Sequence, residues 1–262
     1  SSNITGLGYI FTDRKLSTRF IQVVVGVLYR ISLCVNSVVF FQNRDDLHLF
    51  VSRAYLKESK TKLINGSGVN LDRFDLEKYS SVTKDENSFI FVGRLLKDKG
   101  ICEFLRAADI VKKTYPNAVF KVIGAVDSNP SCIASALLND YIDRKIIDYI
   151  GVVDDVRPYL ASSEVLVLPS YREGMPRAVL EGMAMGLAIV TTDVPGCRET
   201  VENGKNGYLV DVTSVDCLVG AICSLIENPE KKANMGLNSR LLVCDKYDVD
   251  SVNRIILNAI NE

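Results

Sequence analysis

Histidine is almost missing from this chain: His48 is the single one among 262 residues, and it sits in "RDDLHLFV", where it reads as a helix-surface residue. Seven cysteines occur, Cys34, Cys102, Cys132, Cys197, Cys217, Cys223 and Cys244, and no two stand two residues apart as a CxxC pair. A zinc site built from Cys and His is therefore not expected. The cysteines are odd in number and lie in apolar runs, so reduced, buried thiols in a cytoplasmic protein are expected. Tryptophan is absent, which by itself excludes nothing. Charge of either sign is not in excess: the net is −1, which argues against a general nucleic-acid binder. No apolar run reaches the ~18 residues of a membrane-spanning helix; the nearest, "FIQVVVGVLYRISLCV", is broken by Gln22 and Arg30. G-x-S-x-G, Walker A and G-x-G-x-x-G patterns are missing too, "TGLGY" offering only Gly-x-Gly. No leader pattern opens the chain, and the start "SSNITGLGYIF" reads as the middle of a domain, so a longer protein with a missing front is expected.

What is present is an ordinary globular composition, 47% hydrophobic and 24% charged. Short apolar runs alternate with helical patterns. "SVVFFQ" and "TKLING" read as strands, and "NRDDLHLFVSRAYL" as a helix capped by Asn43. The polar, aperiodic stretch after "TKLING" reads as a linker. Strands are then expected at "SFIFVGRL", "AVFKVIGA", "IIDYIGVV", "EVLVLPS", "LAIVTTD" and "NGYLVDV", with helices between and after them. In "KGICEFLRAADIVKKTYP" the face Ile101, Phe104, Leu105, Ala108 and Val111 is apolar. This alternation implies an α/β fold with a doubly wound parallel sheet, covered on both faces. Ligands of such sheets sit at the carboxyl ends of the strands.

Three loops at those ends carry the polar residues. In "VGRLLKDKG", Arg94 and Lys99 follow a strand; a guanidinium fork and an ammonium both suit phosphate oxygens. In "SYREGMPRAVLEGMAMG", Glu173 lies just past a strand, and Gly174 permits close backbone approach. Pro176 suits the first helical position, which would turn the N–H groups around Met175 toward an anion. Glu181 follows five residues on, ~7.5 Å along the helix, amid small apolar neighbours where an unpartnered carboxylate is costly. It can accept hydrogen bonds from a vicinal diol such as ribose. In "TTDVPGCRETVENGKNGYLV", Gly196, Gly204 and Gly207 mark turns, and Arg198 and Glu199 are either ligand contacts or helix-start charges.

"FVGRLLKDKG", "EVLVLPSYREGMPRAVLEGMAMG" and "VPGCRETVENGKNGYLV" together resemble the nucleotide-sugar-binding half of the GT-B retaining glycosyltransferases of family 4. That family's Glu, seven residues, Glu signature is matched by Glu173 and Glu181. The resemblance covers roughly residues 60–262 and is closest to bacterial members that extend polyprenyl-diphosphate-linked glycans or O-antigen units. It implies Arg94 and Lys99 on the donor diphosphate, Glu181 on the ribose, and Glu173 on the donor sugar, with Arg94, Lys99 and Glu173 as the catalytic set. It further implies Gly174 and Met175 backbone on sugar or phosphates, and the base near Val152 and Val153. The donor would be a UDP-sugar, the acceptor a glycan or polyprenyl-diphosphate-linked glycan, with no metal and no cofactor. Departures are Gly182 for the usual Ala, Leu187 for the usual Pro, and the missing first domain with its histidine. The organisation implied is residues 1–70 as the end of an N-terminal acceptor domain, 71–87 as linker, and 88–244 as the donor-binding domain. A final helix in 245–262 would pack back on the N-terminal part. The resemblance also suggests a cytoplasmic protein peripheral to the inner membrane, through Arg14, Lys15, Arg19 and Arg30 around an apolar stripe; a core-facing helix is the competing reading. Two other readings stay open: a GT-B nucleotide-sugar epimerase, and a donor-binding fragment without turnover.

Overall fold

The computed structural model describes residues 1–7, 16–126, 129 and 131–261; in the stretch 16–20 it describes backbone alone. Glycine Gly8 of "TGLGY" and the basic residues Arg14 and Lys15 lie outside the described residues, as does the side chain of Arg19.

Two parallel sheets organise the chain. The smaller holds β1 (Ser2–Ile4), β2 (Val39–Phe41) and β3 (Thr61–Leu63) in that spatial order. The helices α1 (Leu16–Leu33) and α2 (Arg44–Ser52) cross over between them. Apolar β2 is buried throughout, and Phe50 of α2 fills the space above it, edge-on to Phe41, Tyr29 and Tyr55 at 5.1, 4.9 and 5.5 Å. Asn43 caps α2 as its sequence position suggests, its side chain accepting the Asp46 N–H. The opposite face of α1 is uncovered in this chain: Val23, Val27, Leu28 and Ile31 are all exposed.

The larger sheet holds β4 (Ser88–Val92), β5 (Val119–Ile123), β6 (Asp148–Gly151), β7 (Val165–Leu168), β8 (Ala188–Thr192) and β9 (Gly207–Val210). Their spatial order is β6-β5-β4-β7-β8-β9, all parallel. Winding runs outward from β4 in one direction and from β7 in the other. Right-handed crossovers then place the connecting helices on opposite faces. On one face α3 (Ile101–Thr114) packs with α7 (Val215–Glu227); on the other α6 (Arg177–Ala184) packs with α8 (Pro229–Lys246) and β8. Both faces being covered, β7 and β8 are buried along their length and β4 at all but Val92, and the aromatic pairs Phe89–Phe120, Phe91–Phe104 and Phe104–Phe120 lie within 5.8 Å at the core. The five α3 residues expected on one face are all buried. The remaining helices are α4 (Ser135–Asp143), α5 (Arg157–Ala161) and α9 (Val249–Asn261).

Three expectations are corrected here. The stretch 71–87 does not hang between the sheets: Phe74 is buried, and Leu71, Leu76, Tyr79 and Val82 pack on the larger core, so its polar look hid a spaced apolar set. Among the cysteines, only Cys197 is buried; Cys217 and Cys244 are exposed on the outer sides of α7 and α8, and Cys34 is exposed in the turn just after α1. "CRETVENG" gives one 3₁₀ turn, Arg198–Thr200, rather than a helix. The chain's end returns to the junction between sheets: Val69 exchanges backbone hydrogen bonds with Tyr247 and Val249, at 2.8 and 3.1 Å, and Asn65 donates to the Lys246 carbonyl at 2.8 Å.

Candidate functional site

The winding reverses between β4 and β7, so the loops after these two strands flank a crevice at the carboxyl edge of the sheet. Lys99 comes from the first loop and Glu173 from the second. Their charged ends meet: Lys99 Nζ lies 2.6 Å from Glu173 Oε1, and the Ser170 hydroxyl donates to the same oxygen at 2.7 Å. Both side chains are mostly shielded, 22% and 12% exposed, so their pairing is stronger than that of a surface pair. Arg94 stands exposed on the same loop as Lys99.

Over β4 and β5 the loop backbones approach closely, which glycine permits. The backbone of Gly124 lies so close to that of Gly93 that a Cβ would sit 1.8 Å from the Gly93 carbonyl oxygen. At the end of β6, Val152 is exposed and Val153 half-buried against the core. They stand two strands from β4, ~10 Å at ordinary strand spacing.

Loop 169–176 runs from β7 into α6. Pro176 is the residue before the first helical turn rather than the first within it, since the helix begins at Arg177. No acceptor among the described residues takes the N–H of Gly174 or Met175, so both stay available as donors at a helix N-terminus. Gly174 is required by a neighbour other than a ligand: a Cβ there would lie 1.7 Å from the Thr5 carbonyl oxygen of the small-sheet segment. The Met175 side chain is buried against Gly66.

Glu181 lies on α6, with its side chain 16% exposed. Its carboxylate is 3.5 Å from Arg177 and feels the charge of Arg73. Burial nonetheless holds its carboxyl above the usual glutamate range, with Arg177 and Arg73 pulling the other way. The structure thus brings Lys99 and Glu173 into contact, sets Glu181 along the following helix, and places Arg94, Val152 and Val153 on neighbouring loops of the same edge.

Arg198 and Glu199 serve the loops instead. Arg198 pairs with Asp193 at 2.8 Å and with Asp45 at 3.4 Å, and Glu199 accepts the Gly196 N–H at 2.8 Å. His48 is exposed on α2.

Sequence reasoning missed several participants. Arg177 was readable, four residues before Glu181 on a helix. Ser170, Arg73, the Asp46–Arg172 pair and the reach of Asn43 to the Gly174 carbonyl were not. Arg172 pairs with Asp46, whose side chain is 1% exposed and whose carboxyl burial pushes upward against the pull of Arg172. The Asn43 amide donates to the Gly174 carbonyl at 3.0 Å. These contacts join α2 to the loop bearing Glu173 across more than 120 residues of sequence.

A doubly wound parallel sheet, with a cation–carboxylate pair at its switch point beside a helix N-terminus, is the α/β architecture that this chain presents. The chain belongs to the glycosyl transferases group 1 family, whose model matches residues 72–242. It is 30% identical over 246 residues to the N,N'-diacetylbacillosaminyl-diphospho-undecaprenol alpha-1,3-N-acetylgalactosaminyltransferase of Campylobacter jejuni, an alignment covering 90% of this chain and 63% of that protein. It is 25% identical over 227 residues to the UDP-Gal:alpha-D-GlcNAc-diphosphoundecaprenol alpha-1,3-galactosyltransferase of Escherichia coli, covering 82% of this chain and 57% of that one. The chain therefore spans about six-tenths of the length of these relatives. Among solved structures it resembles the sucrose-phosphate synthase of Thermosynechococcus elongatus, with TM-score 0.81 and 22% identity, over 99% of this chain and 66% of that one. The fold is GT-B-like, as the sequence resemblance implied. No helix among the described residues is long and apolar enough to cross a membrane.

Proposed function

We propose that this chain binds a nucleotide diphosphate sugar at the β4–β7 crevice and forms part of a retaining glycosyltransferase of bacterial surface glycan synthesis. The observation that carries this reading is the Lys99–Glu173 pair at the switch point, in a chain of this family. In this reading Arg94, Lys99 and the N–H groups of Gly174 and Met175 hold the diphosphate. They stabilise the negative charge that grows on it as the sugar departs, without calling on a metal or cofactor. Glu181 accepts hydrogen bonds from the ribose hydroxyls. Glu173, fixed by Lys99 and Ser170, accepts from hydroxyls of the donor sugar. The base stacks near Val152 and Val153. A uridine nucleotide is favoured by the UDP-Gal in the name of the Escherichia coli relative, and a polyprenyl-diphosphate-linked glycan acceptor by both relatives' names. We place the protein on the cytoplasmic face of the inner membrane, with the exposed apolar face of α1 and Arg30 turned to the lipid surface.

The test supplies radiolabelled UDP-sugars with and without a polyprenyl-diphosphate-linked glycan. Transfer to the acceptor supports the full reading. Bound but untransferred donor limits this chain to donor binding, and isomerised sugar replaces the transferase with an epimerase. No binding of any nucleotide sugar sinks the proposal.

A further inference from the structure

We infer that Asn43, on the small-sheet side of the crevice, is the positioning residue that aims the Gly174 and Met175 amides at the ligand. This rests on the donor reading above. The Asn43 side-chain Nδ2 lies 3.0 Å from the Gly174 carbonyl oxygen and 3.5 Å from that of Glu173. Peptide bonds among the described residues are trans, and in a trans peptide the carbonyl and the next N–H point in opposite directions. Drawing the Glu173 and Gly174 carbonyls toward α2 therefore turns the N–H of Gly174 and of Met175 away from it. Two donors on successive residues at a helix N-terminus form an anion site.

The amide that does this is itself held. Its Oδ1 accepts the Asp46 N–H at 2.8 Å, and its Nδ2 donates to Asp46 Oδ2 at 3.0 Å. Asp46 is buried and paired with Arg172, the residue preceding Glu173. Asn43 is 1% exposed, so its amide has no water to turn toward. A helix cap alone needs only an acceptor, for which Ser, Asp and Asn serve about equally. Aspartate here would face two carbonyls and the Asp46 carboxylate. Asparagine supplies the cap acceptor and the outward donor together.

The variant Asn43→Ser keeps an acceptor for the cap but has no amide to reach Gly174. Binding of UDP is measured by calorimetry, and of uridine by ligand-observed NMR, on the 262-residue chain. The expected result is a loss of about tenfold in UDP affinity, with uridine binding close to wild type and a lowered melting temperature, since buried acceptors lose their donor. Asn43→Thr repeats the experiment should the serine variant not fold. Wild-type UDP affinity in the variant overturns the inference while leaving the donor reading intact. So does an equal loss for UDP and uridine, which signals general distortion. Wild-type protein that binds neither UDP nor GDP overturns the donor reading, and this inference with it.

Discussion

Lys99 and Glu173, 74 residues apart, close a 2.6 Å ion pair across the point where the larger sheet reverses its winding. An ammonium has three donors and this contact uses one, so Lys99 can hold Glu173 and still face an anion. Lys99→Ala is expected to weaken UDP binding by ~1.5–3 kcal/mol, the range for a hydrogen bond to a charged group. Glu173→Gln should leave UDP affinity nearly unchanged and lower the extra affinity of a UDP-sugar over UDP. Calorimetry on the two variants checks both; an alanine variant that binds UDP like wild type removes Lys99 from the diphosphate.

Glu181 links function to stability through pH. Its folded carboxyl is held above the ordinary glutamate range by burial, so the charged form costs the folded state stability. That cost is absent below the ordinary glutamate pKa, ~4.3, and complete once pH exceeds the raised value. Glu181→Gln should therefore melt higher than wild type at pH 7 to 8, with the difference shrinking to nothing as pH falls toward 4. The same variant should bind nucleotide less well at pH 7, because a neutral amide accepts ribose hydrogen bonds more weakly than a carboxylate. Melting curves across this range test the sign; a variant less stable at pH 8 contradicts it.

Strands β2 to β9, the face of α3 and the Asn43 cap were legible because each follows from residues within one turn or one run, whereas β1, three residues of polar look, was not. The Glu173–Glu181 spacing was legible for the same reason, lying in a single loop and helix. Pairings such as Asp46 with Arg172, or Thr5 against Gly174, depend on how the small sheet meets the large one, and local pattern carries none of that information. The exposed cysteines show a further limit: Cys217 and Cys244 stand in helices, where only the helix's orientation on its neighbours decides which side is outside, and Cys34 follows the apolar end of α1 in a turn.

That cysteine arrangement is itself testable. Brief alkylation of the native chain with iodoacetamide at pH 8 should label Cys34, Cys217 and Cys244. Cys197 should stay unlabelled until the protein is denatured, since it is buried and burial pushes its thiol up to about 12. Peptide mass spectrometry reads the order of labelling. Early labelling of Cys197 would show that the loop over it opens readily.

At the amino-terminal edge of the larger sheet, Lys232 is buried with its ammonium 2.6 Å from Glu164 and 3.0 Å from the Asn87 side-chain oxygen. Lys232→Ala leaves Glu164 with the Asn87 N–H and the charge of Lys84. Removing one partner of a buried pair costs ~3–5 kcal/mol, and the low end is expected because Glu164 is 22% exposed. Urea unfolding measures the loss. Nucleotide affinity should not change, since Glu164 precedes β7 and the crevice lies at the strand's other end.

Gly174→Ala tests whether the contact between sheets serves the site. The added methyl would lie 1.7 Å from the Thr5 carbonyl oxygen and 3.1 Å from the Gln42 side chain, so backbone must move rather than a flexible tip. The loop cannot withdraw toward the third loop either, because Gly196 already packs tightly against the Glu173 and Gly174 carbonyls. Retreat of Thr5 would separate β1 from the loop; retreat of Gly174 would pull its carbonyl from Asn43 and turn the amides. Either way the variant should lose nucleotide affinity more than tenfold and melt lower than wild type. The partner variant Gly204→Ala, at a positive-φ turn with nothing within 4 Å, should also lose stability through backbone strain yet keep its nucleotide affinity. Comparing the two by calorimetry and melting separates strain in general from strain at this junction, and equal affinities in both would detach Gly174 from the site.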